Sequence, residues 1–262
     1  MKVLLVEDDI INQELALEMM EDFDCDLSIA NDGFEAVEYC KKDQFNLILM
    51  DIQMPGMDGI QTTKMIRELE VKMKWVPTPI YALSANDTDG IEGLSIDAGM
   101  NGFQGKPFMM TDLKKLFDQH SGTSSDTETS TAPTMSDTYS SETNNSLPTP
   151  LLDSNALDNI RALQREGAPD ILSKIIYLYF ETSSDQVQAL QVAINDQNAT
   201  EIGNVAHSLK SSSANLGALK LSMTLKEIER KAREDELAGL ESLMAEVDDL
   251  YPQVCQQLRS LC

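Results

Sequence analysis

The stretch from Ser121 to Pro150 constrains this chain most. Ser and Thr fill 16 of its 30 positions, three are proline and none is Lys or Arg. A segment of that composition buries too little apolar surface to offset its ordering entropy, so no single core runs through it. The flanks are each about the size of an independent domain. They share no internal repeat, which predicts two different domains, at 1–119 and 151–262, joined by a disordered linker over 120–150.

In the first flank, the runs Val3–Val6, Leu47–Met50 and Ile80–Leu83 are apolar at consecutive positions, as strands covered on both faces are. Weaker strands are expected at Asp26–Ala30 and Gly102–Gln104. Amphipathic stretches such as Ile11–Phe23 and Phe34–Lys42 lie between them. This alternation predicts an open α/β parallel sheet with helices on both faces, whose chemistry gathers at the carboxyl ends of the strands.

The second flank shows no convincing strand. Apolar residues at helical spacing run through Ile171, Ile175, Leu178 and Tyr179, then Val187, Leu190 and Ile194, with further segments at Ala199–Leu216, Ala218–Arg233 and Gly239–Leu261. Breaks at Asp196–Asn198 and Gly217 delimit four helices of an up-down bundle, with a shorter helix near Asn155–Arg165 packed across it.

Charge excludes some functions. Lys and Arg number 20 against 44 Asp and Glu, a formal charge of −24 shared as −13, −4 and −7 between residues 1–118, the linker and 151–262. Nucleic-acid phosphates and anionic lipid surfaces repel such a chain. Four cysteines (Cys25, Cys40, Cys255, Cys262) form no CxxC pair and have only two histidines for company, which disfavours zinc and disulfide scaffolds. With no signal peptide and no apolar run of spanning length, the expectation is a cytoplasmic protein that does not insert in membranes. No Gly-rich ATP-binding motif, P-loop or kinase signature occurs.

The strand ends carry the chemistry. Glu7, Asp8 and Asp9 follow the first strand, Asp51 the third, Ser84 the fourth and Lys106-Pro107 the fifth. Carboxylates converging without Cys or His suit a hard, oxygen-seeking cation, of which Mg²⁺ fits best. With LLVEDDIINQ, LILMDIQMPGMDG, YALSAN and GFQGKPF in this order, residues 2–118 resemble the receiver domain of two-component response regulators. That resemblance implies a flavodoxin-like five-stranded sheet of order 2-1-3-4-5. It makes Asp51 the phosphoacceptor, Glu7 and Asp8 metal-site acids beside it, and the Gln53 backbone carbonyl a further ligand. Lys106 and Ser84 then hold phosphoryl oxygens, Phe103 is the switch residue, and the Lys106–Pro107 bond is cis. Asp9, one step past the acid pair, is expected to be solvated. Gly90 and Gly93 fall in the stretch after Ser84, where they either loosen a helix at a switching face or stand in an exposed loop.

His207 lies on an expected helix in AHSLKSSSANLGA, an exposed imidazole with Lys210 and Ser211 on its face, small Ser213 and Ala214 beyond, and Leu209 and Leu216 turned to the core. The segment is similar to the histidine-containing phosphotransfer (HPt) domain, as is LDNIRALQREGAPDILSKIIYLYF. This implies that His207 carries a phosphoryl group and that Lys210 helps to hold it; Ser211 stands where many members have Gly. His120, at the linker's edge, is expected to be incidental.

Together these readings predict a phosphorelay intermediate resembling the C-terminal part of hybrid sensor kinases, whether free-standing or detached from one. Its partners are an upstream histidine kinase and the receiver domain of a downstream regulator. His207 exchanges with Asp51 or with that regulator. The competing expectations are a receiver that drains phosphate, and a phosphorylation-gated adaptor with no internal relay. A metal-dependent hydrolase is disfavoured because Ile52-Gln53 supplies no second acid after Asp51.

Overall fold

The computed structural model describes residues 1–85, 91–106, 110–120 and 151–262. The expected linker lies outside them, except for His120, which closes the last helix of the first domain. Strands β1 (Lys2–Val6), β2 (Asp26–Ala30), β3 (Leu47–Asp51), β4 (Ile80–Ala85) and β5 (Gly102–Lys106) alternate with helices α1 (Ile10–Met20), α2 (Gly33–Lys42), α3 (Gly59–Met73), α4 (Ile91–Asp97) and α5 (Met110–His120). The five strands form one sheet in the order β2-β1-β3-β4-β5, and every neighbouring pair is parallel.

Period-two alternation explains why the central strands are apolar throughout. Leu4, Val6, Ile48 and Met50 enter one core, while Val3, Leu5, Leu47 and Leu49 enter the other, beneath α1 and α5. Because the strands are parallel, Glu7-Asp8, Asp51 and Lys106 fall at one edge of the sheet. Gly59 fixes the end of β3: a Cβ there would collide with the Asp51 carbonyl oxygen. Asp58 caps α3 by accepting from the Gln61 amide at 2.7 Å.

The second domain comprises α6 (Ser154–Arg161), α7 (Ile171–Asn195), α8 (Ala199–Asn215), α9 (Leu219–Arg233) and α10 (Leu240–Arg259). Its core holds Ile175, Tyr179, Leu209, Leu216, Leu225 and Val254, all fully buried. Between α8 and α9 the chain reverses at Gly217, with φ +75° and an ideal Cβ position only 2.6 Å from the Asp153 carbonyl oxygen. Ser213 turns inward to the Tyr179 hydroxyl at 3.1 Å, so it does not extend the small-residue surface expected beside His207. Among the described residues, no helix is long and apolar enough to cross a membrane.

Helix α1 joins the two domains. Its Ile11 and Leu15 are buried in the core of the helical domain, against α7 and α8.

Candidate functional site

At the sheet edge, Lys106 Nζ lies 2.5 Å from Asp51 Oδ2 and 2.6 Å from Glu7 Oε2, with all three side chains nearly or fully buried. Asp51 Oδ1 accepts from the Gln53 amide at 3.0 Å, and Glu7 Oε1 accepts from Asn12 Nδ2 at 2.8 Å. Carboxylate oxygens of Glu7, Asp8 and Asp51 lie within 4.8 Å of one another. Burial first, then the Asp51 charge against the opposing pull of Lys106, pushes Glu7 up to about 8 and Asp8 up to about 7. Burial alone would lower Lys106; the charges of Asp51 and Glu7 outweigh it and raise the ammonium above its ordinary value.

This donor set fits a hard divalent cation. It is all oxygen, and it holds three carboxylates against one ammonium.

Ser84 ends near the same edge, paired in register with Gly105; its side chain and Pro107 lie outside the described residues, as does Gly90. Gly93 is on α4, with open space where a Cβ would stand. Phe103 is half-buried against the core containing Met50 and Ala82. His120 contacts the Tyr81 hydroxyl at 3.2 Å.

His207, expected to be exposed, is buried, with 7% of its surface accessible. Its Nδ1 lies 2.9 Å from Glu229 Oε1 and 3.4 Å from Lys210 Nζ. The shorter contact sets the tautomer: Nδ1–H donates to Glu229, which leaves Nε2 as the lone-pair nitrogen. Lys210 Nζ donates to Glu229 Oε2 at 2.6 Å, and Arg233 donates to Oε1 from Nε at 3.0 Å. Glu229 was not among the expected site residues. A signal existed, because an antiparallel helical hairpin turning at Gly217 brings a residue 10 positions before it level with one 12 positions after.

The two groups of residues border one space. A cavity of about 200 Å³ is lined by Asp8, Gln53, Met54, Asn204, His207 and Arg233, among others. Asp9 is buried rather than solvated, at 5% accessible. Asp9 Oδ1 caps α1 by accepting from the Ile11 and Asn12 amides, while Oδ2 accepts from Ser208 Oγ at 3.0 Å and lies 2.6 Å from Ser212 Oγ. Beside it Asn12 donates to Ser211 Oγ at 3.1 Å and accepts from Asn215 Nδ2 at 2.6 Å. The hydroxyl face of α8 is therefore spent on α1.

A family model described as the response regulator receiver domain matches residues 3–118, and the Hpt domain model matches 174–258. The chain joins a receiver domain to an Hpt domain. Sensor histidine kinase AruS of Pseudomonas aeruginosa is 28% identical over 88% of this chain and 21% of its own length. Hybrid signal transduction histidine kinase E of Dictyostelium discoideum is 37% identical over 42% of this chain. The chain spans only 4–10% of the length of the Dictyostelium relatives of this kind. Among solved structures, the magnesium-bound receiver domain of sensor histidine kinase PA1611 from Pseudomonas aeruginosa is 32% identical, with a TM-score of 0.41 over 45% of this chain and 95% of that one.

Proposed function

We propose that this receiver–Hpt chain is a phosphorelay intermediate in which Asp51 takes a phosphoryl group from a histidine kinase and His207 exchanges it, first of all with Asp51 itself. The observation that carries this reading is the shared cavity, which Asp8 of the carboxylate cluster and Gln53, two residues past Asp51, line together with His207.

In the first step an Asp51 carboxylate oxygen attacks phosphorus. The P–N bond to the donor imidazole breaks, its electron pair returns to the donor ring, and an acyl phosphate forms. Lys106 balances the phosphoryl charge, and Ser84 donates to another phosphoryl oxygen. When bound by Glu7, Asp8, Asp51 and the Gln53 carbonyl, Mg²⁺ supplies the remaining positive charge. In the second step His207 Nε2 attacks the same phosphorus, the P–O bond breaks, and Asp51 recovers its carboxylate against Lys106. Glu229 keeps the proton on Nδ1, and its carboxylate offsets the positive charge that the ring takes on once Nε2 is bonded to phosphorus. Lys210, paired to Glu229, lies close enough to steady the product. Phe103 reports the Asp51 state on the β5 face. Upstream, the partner is a histidine kinase; downstream, a receiver domain.

The test is incubation with Mg²⁺ and acetyl phosphate, followed by site mapping in the wild type, Asp51→Asn and His207→Gln. Label should reach His207 in the wild type but not in Asp51→Asn, and Asp51 should still label in His207→Gln. Label on Asp51 that never reaches His207 would overturn the internal exchange.

A further inference from the structure

Both domains are acidic, at −13 and −7, so at long range they repel; yet α1 sits in a seam between them. The C-terminal half of α1 shows what overcomes this. Glu14, Glu18, Glu21 and Asp22 face the helical domain along and just beyond α1, and two cations meet them. Arg165, in the loop before α7, pairs with Glu18 at 3.4 Å, with Glu21, and with Asp22 at 3.1 Å, while its Nη2 donates to the Glu18 backbone carbonyl at 2.6 Å. Lys174, in the first turn of α7, pairs with Glu14 and, at 3.3 Å, with Glu18.

The carbonyl contact is the telling one. Glu18 is in the last turn of α1, where backbone oxygens lack helical partners, and α1 has no basic residue of its own there. Arg165 thus completes the C-terminal end of a helix that belongs to the other domain. At the N-terminal end Asp9 reaches Ser208 and Ser212, so α1 is gripped at two points about 14 Å apart. One point alone would leave the receiver free to swivel about the cavity; two fix its rotation. Arg165 is also carried on an ordered loop, since Gln164 donates to the carbonyls of Arg165, Ala168 and Pro169 and accepts from the Ile171 amide at 2.9 Å.

We infer that Arg165 and Lys174 are specificity determinants of the Hpt domain, selecting a receiver whose first helix carries carboxylates at the positions of Glu14, Glu18, Glu21 and Asp22. The inference deepens the phosphorelay reading and rests on it for its kinetic consequence, but not for the docking itself. A receiver with neutral or basic residues at those positions is a poor exchange partner however complete its phosphorylation site.

The experiment uses the full chain in two assays. In the first, Asp51 is loaded from acetyl phosphate with Mg²⁺ and the appearance of label on His207 is timed. The double reversal Arg165→Glu/Lys174→Glu should slow that appearance about tenfold or more while leaving Asp51 loading unchanged. Adding Glu18→Arg and Glu21→Arg should restore most of the rate. In the second, amide hydrogen exchange across α1 should rise in the double reversal and fall again in the four-residue swap. Unchanged α1 protection and unchanged transfer in the double reversal would overturn the inference, as would a loss that the swap fails to restore. If the wild type never passes label from Asp51 to His207, the relay reading fails, and the exchange assay still decides the docking role of the two cations.

Discussion

Replacing Glu229 by Gln preserves the side-chain shape and an acceptor for His207 Nδ1 but deletes the charge that Lys210 and Arg233 face. Burial on its own would raise the Glu229 carboxyl; the hydrogen bond from His207 and the neighbouring charge of Lys210 more than reverse that, holding it at about 2 instead of 4.5. At ~1.4 kcal/mol for each tenfold change in proton affinity, this depression is worth about 3 kcal/mol of folding stability. The side chain is only 6% exposed, so solvent screens little of it. A carboxyl depressed on folding stabilises above its unfolded value and loses that contribution as pH falls towards its folded one. Glu229→Gln should therefore be less stable than wild type by about 3 kcal/mol at pH 7. The gap should narrow below about pH 4.5 and nearly close by about pH 2. Urea denaturation followed by circular dichroism at 222 nm, repeated across that pH range, measures it. An equal gap at pH 7 and pH 3 would mean that shape, not charge, is responsible. No gap at pH 7 would mean that the attraction merely offsets the desolvation of a buried ion.

Asp9→Ala should cost the receiver about 1–2 kcal/mol through the lost helix cap and also raise hydrogen exchange in α1, because Ser208 and Ser212 lose their acceptor; Asp9→Asn, which retains the cap, should recover most of the stability in thermal unfolding. Asp8→Asn should weaken Mg²⁺ binding about tenfold or more by calorimetry, whereas His207→Gln should leave it within about twofold, since only the former removes a carboxylate from the cluster. Gly217→Ala should destabilise the helical domain by about 1–3 kcal/mol in chemical denaturation, because its φ of +75° strains an L residue and the added methyl meets the Asp153 backbone.

Local periodicity made much of this protein legible before any contact was known. Consecutive apolar runs marked β1, β3 and β4 because a strand covered on both faces needs no polar side, and Gly217 and Asp196–Asn198 marked helix ends because of what backbone conformation allows there. The ordered acids, the lysine after β5 and the His207 segment were readable for the same reason: each is a short stretch whose chemistry does not depend on distant residues. The burial of Asp9 and His207 was not readable, nor were Glu229 as the partner of Nδ1 and Arg165 as the cap of α1. Asp9 meets Ser208 and Ser212 across 199 and 203 positions of chain, and Arg165 reaches Glu18 across 147. Isolated, Asp9 is one more acid before a helix and Arg165 one more loop cation, and sequence spacing assigns neither a neighbour. Only docking of α1 against α7 and α8 removed water from those groups and so changed what they do, because the worth of a charge or hydroxyl depends on the dielectric and partners around it.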